Sequence, residues 1–225
     1  MTWLVLAALQ AEIRPAVSRL QARPRRVAGL PCHEKGPLVL AAGGVGATAA
    51  ARAAARLADG LKPDVLVSTG FAGALADGLA TGDLLLGGSP GFPADEKALR
   101  AAREAAPEAR IGAVLAVDRV LRDAKTKERL HWESGALAVD MESAAVAAAA
   151  RECRRGFLCV KAILDTPVAP LASDYAGLSR VLLQILLHPS TLLRLPVDAS
   201  RAQTAADRLA AFYARLADLL DKGWP

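Results

Sequence analysis

Cysteine is scarce in this chain, with Cys32, Cys153 and Cys159 the only three in 225 residues. Three unevenly spaced thiols provide neither a disulfide framework nor a zinc site, and they fit a reducing compartment, the cytoplasm. Cys153 and Cys159 read as inert core residues. Histidine is equally sparse. His33, His131 and His188 have no partner at metal-ligand spacing, so no metal is expected. No uninterrupted apolar run reaches membrane-spanning length. Trp3-Leu4-Val5-Leu6 has no positively charged region before it and no cleavage site after it, and reads as a core strand. There is no Walker loop, no G-x-S-x-G elbow, no repeat and no low-complexity tract or linker.

What is present is a chain that is 53% apolar, with much Ala and Leu, and a formal net charge of +5. Its length suits one domain with a full core, spanning residues 1–225. Acidic residues are scattered among the basic ones, so the charge signals solubility and no nucleic acid is expected as a partner. The one basic cluster, Arg19, Arg23, Arg25 and Arg26, reads as a solvated helix end, with phosphates or an anionic membrane surface as the alternative.

Strand-like and helix-like segments alternate. Trp3 to Leu9 reads as a strand, Gln10 to Leu20 as a helix, and Pro31 to Pro37 as a turn region between short strands. Strands are expected at Leu38 to Ala42, Val65 to Thr69, Leu84 to Leu86, Ile111 to Val117 and Phe157 to Leu164. Helices are expected at Ala47 to Leu57, Ala94 to Ala106, Lys125 to Trp132, Tyr175 to Leu187 and Ala202 to Leu220, with a short segment Thr191 to Leu195 before the last. This order predicts an α/β fold, a single-domain three-layer αβα sandwich around a mixed, largely parallel sheet.

The stretch from Leu137 to Pro167 organises the chemistry. It reads as a short strand, an Ala-rich helix and a second buried strand, each strand ending near an acidic residue. Glu142 falls where the helix begins, and there unpaired N–H groups and the positive dipole end favour its carboxylate form. Asp165 ends the apolar run, and Pro167 prevents that strand from continuing. Glu12 is a third carboxyl just past the first strand. Sheets of this kind bind small molecules at their carboxyl edge, so the three groups are expected around one crevice.

Two glycine turns point to the same edge. Gly44-Val45-Gly46-Ala47-Thr48-Ala49 matches the dinucleotide pattern, but Asp59 and Asp64 precede the next strand, where the ribose-binding acid should follow it. The turn is then a set of bare N–H donors for a ribose, a phosphate or a water, or simply a tight corner. Gly70-Phe71-Ala72-Gly73 lets a ligand approach the backbone in the same way.

In order along the chain, Ala8-Leu9-Gln10-Ala11-Glu12, Gly43-Gly44-Val45-Gly46, Pro63-Asp64 through Gly70-Phe71-Ala72-Gly73 to Gly82-Asp83, and Val139-Asp140-Met141-Glu142 with Lys161-Ala162-Ile163-Leu164-Asp165 resemble the nucleoside phosphorylase/nucleosidase family. That family includes the methylthioadenosine/S-adenosylhomocysteine nucleosidases and purine nucleoside phosphorylases. The resemblance implies that Asp165 protonates N7 of a departing purine and that Glu12 orients the attacking water. Met141 and Glu142 would hold the ribose, with Val139, Gly44, Gly70 and Phe71 beside the substrate and the segment Asp118 to Leu121, including Val120 and Leu121, lining the base.

Some positions depart from the family pattern. Ser68 stands where the phosphorylases carry a phosphate-binding arginine, which favours hydrolysis over phosphorolysis. Phe71, Val120, Lys161 and Leu164 replace a hydroxyl residue, a stacking aromatic, an arginine and a serine. The stretch Thr126-Lys127 through Ser143 and the tail from His188-Pro189-Ser190 to Arg194 resemble the hopanoid-associated branch, assigned to releasing adenine from adenosylhopane.

The expectation is therefore a nucleosidase acting on a 5′-substituted adenosine, without cofactor, and a homodimer or larger homo-oligomer. Two alternatives stand beside it: a phosphorylase using phosphate, and a non-catalytic nucleoside-binding protein on the same fold. Val181-Leu182-Leu183, Ile185-Leu186-Leu187 and Leu192-Leu193-Leu195 are apolar nearly all round. They read as buried against the core or a subunit, with a lipid-facing surface as the alternative.

Overall fold

The structure, a computed structural model, describes residues 1–167 and 196–224. Alternation of apolar side chains along short strands sets its core. In β1 (Trp3–Ala7), Trp3 and Val5 face one side of the sheet while Leu4 and Leu6 face the other, and all four are buried. A strand buried on both faces belongs at the centre of a parallel sheet. Accordingly β1 pairs in parallel with β4 (Leu38–Ala42) and with β5 (Val65–Ala74).

The sheet continues from β5 to β10 (Gly156–Asp165), again in parallel, then to β6 (Leu84–Gly87) antiparallel and β7 (Arg110–Ile111). On the opposite side lie β3 (Leu30–Lys35) and the edge strand β2 (Arg23–Val27), both antiparallel to their neighbours. A short parallel pair, β8 (Val114–Ala116) and β9 (Ala138–Asp140), joins the far end of β5 through β9.

Helices cover both faces. α1 (Gln10–Leu20), α3 (Glu96–Ala105) and the last described helix, Pro196–Asp221, share the core with Trp3, Val5, Leu158 and Val160. α2 (Ala47–Leu61) and α5 (Ser143–Glu152) share the other with Leu4, Leu6, Leu66 and Cys159. The inward stripe of α2 is Ala50, Ala53, Ala54, Leu57 and Ala58, the spacing of an amphipathic helix. α4 (Ala124–Ser134) lies between β8 and β9 in the chain, and the C-terminal helix is α6 here. The three-layer mixed sheet is thus the one expected from the alternation of elements.

Four local expectations are corrected. Pro31 to Pro37 is not a turn region, because residues 30–35 form β3, whose hairpin partner β2 carries Arg23, Arg25 and Arg26. Those three arginines therefore sit on an edge strand, not a helix end, while Arg19 lies in the last turn of α1 as expected. Arg25 is paired with Glu34 at 2.6 Å, and Pro24 leaves the edge unsuited to further pairing.

The single strand expected over Ile111 to Val117 is split at Gly112 into β7 and β8. There the backbones crowd, since a Cβ on Gly87 would lie 1.9 Å from the Gly112 carbonyl oxygen. Cys153 is exposed at the end of α5, whereas Cys159 is buried in β10. The expected segments Tyr175 to Leu187 and Thr191 to Leu195 lie outside the described residues. Among the described residues, no helix is long and apolar enough to cross a membrane.

Candidate active site

The carboxyl ends of β1, β5, β9 and β10 surround a cleft of about 130 Å³. Glu12, Val139, Met141, Glu142 and Asp165 face it. So do Phe71, Val120 and Leu121, which give one side an apolar wall. Gly44 and Gly70, expected beside the substrate, are not on the wall, and Gly70 works from behind it.

Gly70 has φ +119°, and a Cβ there would lie 2.5 Å from Glu12 Oε1. The missing side chain is the space the Glu12 carboxyl occupies. Phe71 N–H donates to Glu12 Oε1 at 2.9 Å and Leu9 N–H donates to Oε2 at 2.8 Å. The second bond closes the first turn of α1 in the manner of a capping box, so one side chain both ends a helix and faces the cleft. Burial raises the Glu12 pKa from 4.5 to about 7, against the two N–H donors and Lys161, which lower it.

Glu142 starts α5 by its backbone, but its side chain makes no cap bond. Asp140 takes that role, accepting from Ser143 N–H at 3.0 Å and from Ser143 Oγ at 2.6 Å. Glu142 is thereby released to cross the cleft, and Gly46 N–H donates to its Oε1 at 2.6 Å. The expectation that the helix start would favour the Glu142 carboxylate is corrected. Burial outweighs Lys161 and Gly46, and the pKa is raised. The glycine turn of residues 43–46 thus spends one bare N–H on an acidic side chain of the same cleft.

Two lysines lie under these acids: Lys161, which the sequence marks only as the replacement for an arginine, and Lys127, to which it assigns no role in the site. Lys161, on β10, is paired with Asp140 Oδ2 at 2.7 Å and donates to the Thr69 carbonyl at 3.0 Å. Burial acts against its charge, yet Asp140 and Glu142 hold its pKa above the ordinary value. Lys127, on α4, is wholly buried and forms an ion pair with Asp165. From sequence it looks like one more charge on a solvated helix start. The signal was its position on the face shared with Leu130, His131 and Ser134, the part-buried side of an otherwise exposed helix.

A local irregularity aims Asp165. β10 follows β5 in register through Ile163↔Ala72, then shifts so that Asp165 faces Gly73. The extra residue, Leu164, is a β-bulge, and Leu164 and Asp165 both line the cleft although successive side chains of a regular strand point apart. Ser68, in the position the resemblance ties to phosphate, is fully buried and off the cleft wall.

Carboxyl groups converging on a partly apolar cleft at the carboxyl edge of a mixed α/β sheet define a class, the small-molecule enzymes whose chemistry runs on positioned acids and bases. Within it, the chain belongs to the Phosphorylase superfamily, which it matches over residues 27–89 and 85–177. It is 28% identical over 194 residues to the 5′-methylthioadenosine/S-adenosylhomocysteine nucleosidase of Geobacillus thermodenitrificans, a match covering 72% of this chain and 82% of that protein.

The fold is shared with the 5′-methylthioadenosine/S-adenosylhomocysteine nucleosidase of S. pneumoniae, solved with a transition-state inhibitor. The TM-score is 0.70 at 22% identity, covering 96% of this chain and 100% of that one. The futalosine hydrolase of Helicobacter pylori superposes equally, with a TM-score of 0.70 at 19% identity, covering 94% of this chain and 97% of that one.

Proposed function

We propose that this enzyme is a nucleosidase that hydrolyses the N-glycosidic bond of a 5′-substituted adenosine and releases adenine. The observation that carries the reading is the convergence of Asp165, Glu142 and Glu12 on one cleft, with Glu12 poised near neutrality. Breaking a C–N glycosidic bond leaves positive charge on the sugar and drives an electron pair into the base. An acid behind the base and carboxylates around the sugar lower that barrier.

Asp165, at the end of β10, protonates N7. Glu142 accepts hydrogen bonds from the ribose hydroxyls while the Met141 thioether packs on the sugar. Glu12 holds the attacking water and takes its proton. Its pKa, raised by burial to about 7, suits a base that works at neutral pH. Val120, Leu121 and Phe71 shape an apolar surround for the base and the 5′ group. A hydrophobic 5′ substituent, as in adenosylhopane, is the finer reading, motivated by this apolar wall. A cytoplasmic location and assembly as a homo-oligomer belong to the same reading.

Water, not phosphate, is proposed as the acceptor, on the burial of Ser68 away from the cleft. The test is to incubate the pure protein with a panel of 5′-modified adenosines, with and without phosphate, and to measure free adenine. Release without phosphate is expected, together with its loss in Asp165→Asn by about 10²-fold or more, the scale of general acid catalysis. Normal turnover by Asp165→Asn would refute the acid assignment, and phosphate-dependent formation of a sugar 1-phosphate would make the enzyme a phosphorylase.

A further inference from the structure

The proposed roles leave one buried charge unexplained. Lys127 is fully enclosed and in contact with Asp165, yet it is not part of the cleft wall. Its placement is built in at both ends. Asp123 caps α4 by accepting from Thr126 N–H at 2.8 Å and from its hydroxyl at 2.6 Å, which fixes the turn that carries Lys127. Across β5, Gly73 leaves the pair its space, since a Cβ there would lie 2.9 Å from Asp165 Oδ1 and 3.4 Å from Lys127 Nζ.

An ammonium in contact with a carboxylate favours the ionised carboxylate. Asp165 so held has no proton of its own for the departing base. We propose that Lys127 stores that proton, acting through Asp165 as a positioning residue that aims the carboxyl and refills it. The proposal rests on the nucleosidase reading above.

The ion pair and the neutral pair differ only in where one proton lies. Exclusion of water by a bound nucleoside penalises the charge-separated form, which brings the neutral form within reach. In the step itself the C1′–N9 electron pair passes into the purine, N7 takes a proton from the Asp165 carboxyl, and Asp165 takes one from Lys127 Nζ. Asp165 ends ionised and Lys127 ends as a neutral amine. The water that attacks C1′ loses its proton to Glu12, and exchange with solvent returns Glu12 and Lys127 to their starting forms. The summed charge is unchanged.

The experiment compares a substrate that needs protonation with one that does not, using the most active nucleoside of the panel and p-nitrophenyl β-D-riboside, whose nitrophenolate leaves unaided. Lys127→Met and Lys127→Arg are measured beside Asp165→Asn, each checked for wild-type secondary structure by circular dichroism. Arginine keeps the charge and the pairing but does not give up its proton, so it remains informative if the methionine variant fails to fold. Lys127→Arg is expected to lose about 10²-fold in kcat on the nucleoside, the scale of general acid catalysis, with KM within about threefold, and to keep wild-type rates on the nitrophenyl riboside. Lys127→Met, which leaves Asp165 buried without its counter-ion and therefore protonated, keeps part of the nucleoside activity.

Normal nucleoside turnover by Lys127→Arg would show that only a fixed charge is needed and would overturn the proton store. Equal losses on both substrates would reduce Lys127 to a structural role and overturn it as well. Those results, with Asp165→Asn inactive, leave the nucleosidase reading standing. A wild-type protein that releases no base, or a fully active Asp165→Asn, takes down that reading and this one together.

Discussion

Gly70 and Glu12 occupy the same space: the side chain that glycine lacks would lie 2.5 Å from Glu12 Oε1. The carboxyl is therefore placed by an absence on a neighbouring strand as well as by two N–H donors. Glycine is required there twice, for room and for a φ of +119°.

Gly70→Ala should displace Glu12 and strain the backbone together. A loss of about 10²-fold in kcat/KM is expected from misplacing a water-orienting group, along with about 1–3 kcal/mol of stability. Steady-state kinetics and a thermal melt measure the two. A variant that matches wild type in both would mean the carboxyl is not held in this position.

The raised Glu12 pKa gives a pH dependence of defined sign. Between about 4.5 and about 7 the folded protein keeps a proton on Glu12 that the unfolded chain has lost. Stability should thus decline as pH rises through that window and level off above it, by on the order of 3 kcal/mol in total. Glu142, raised in the same direction, adds to the decline. Glu12→Gln should flatten the profile in urea titrations. Activity should run the opposite way, since only the ionised Glu12 can take the proton of water. Below about pH 7 kcat/KM should fall nearly tenfold per pH unit.

Glu142→Ala removes the partner of the Gly46 N–H and the proposed grip on the ribose. A hydrogen bond to a charged group is worth about 1.5–3 kcal/mol, so kcat/KM should drop roughly 10- to 100-fold. A 2′,3′-dideoxy substrate should lose much of its disadvantage in this variant. An unchanged preference for the hydroxylated sugar would place ribose recognition elsewhere.

Lys161→Met strands Asp140 in the core without its ion-pair partner. About 3–5 kcal/mol of destabilisation is expected from an uncompensated buried charge, and combining it with Asp140→Asn should recover a large part. Lys161 also lowers the Glu12 pKa, so the acid limb of activity should move above 7 in the single variant. Chemical denaturation and a pH–rate profile separate these effects. No loss of stability would contradict the pairing.

The site was legible wherever chain order alone brings residues to the carboxyl edge of the sheet. Glu12 follows β1, Phe71 lies towards the carboxyl end of β5, Glu142 follows β9, and Asp165 closes β10, so alternation of elements sufficed to gather them. Gly44 and Gly70, whose patterns suggest contact with a ligand, are not on the cleft wall, and the bare backbone of Gly70 makes room for Glu12.

What the sequence determined by itself was the periodicity of apolar residues, hence strands buried on both faces, helices above and below, and an edge where acids collect. Those are properties of neighbours along the chain. The pairings of Lys127 with Asp165 and of Lys161 with Asp140, the cap role that falls to Asp140 instead of Glu142, and the bulge that turns Asp165 inward were decided only by the tertiary structure. The reason is physical: helical spacing places Lys127 on the part-buried face of a short polar helix, but only the packed core determines which carboxylate it must neutralise.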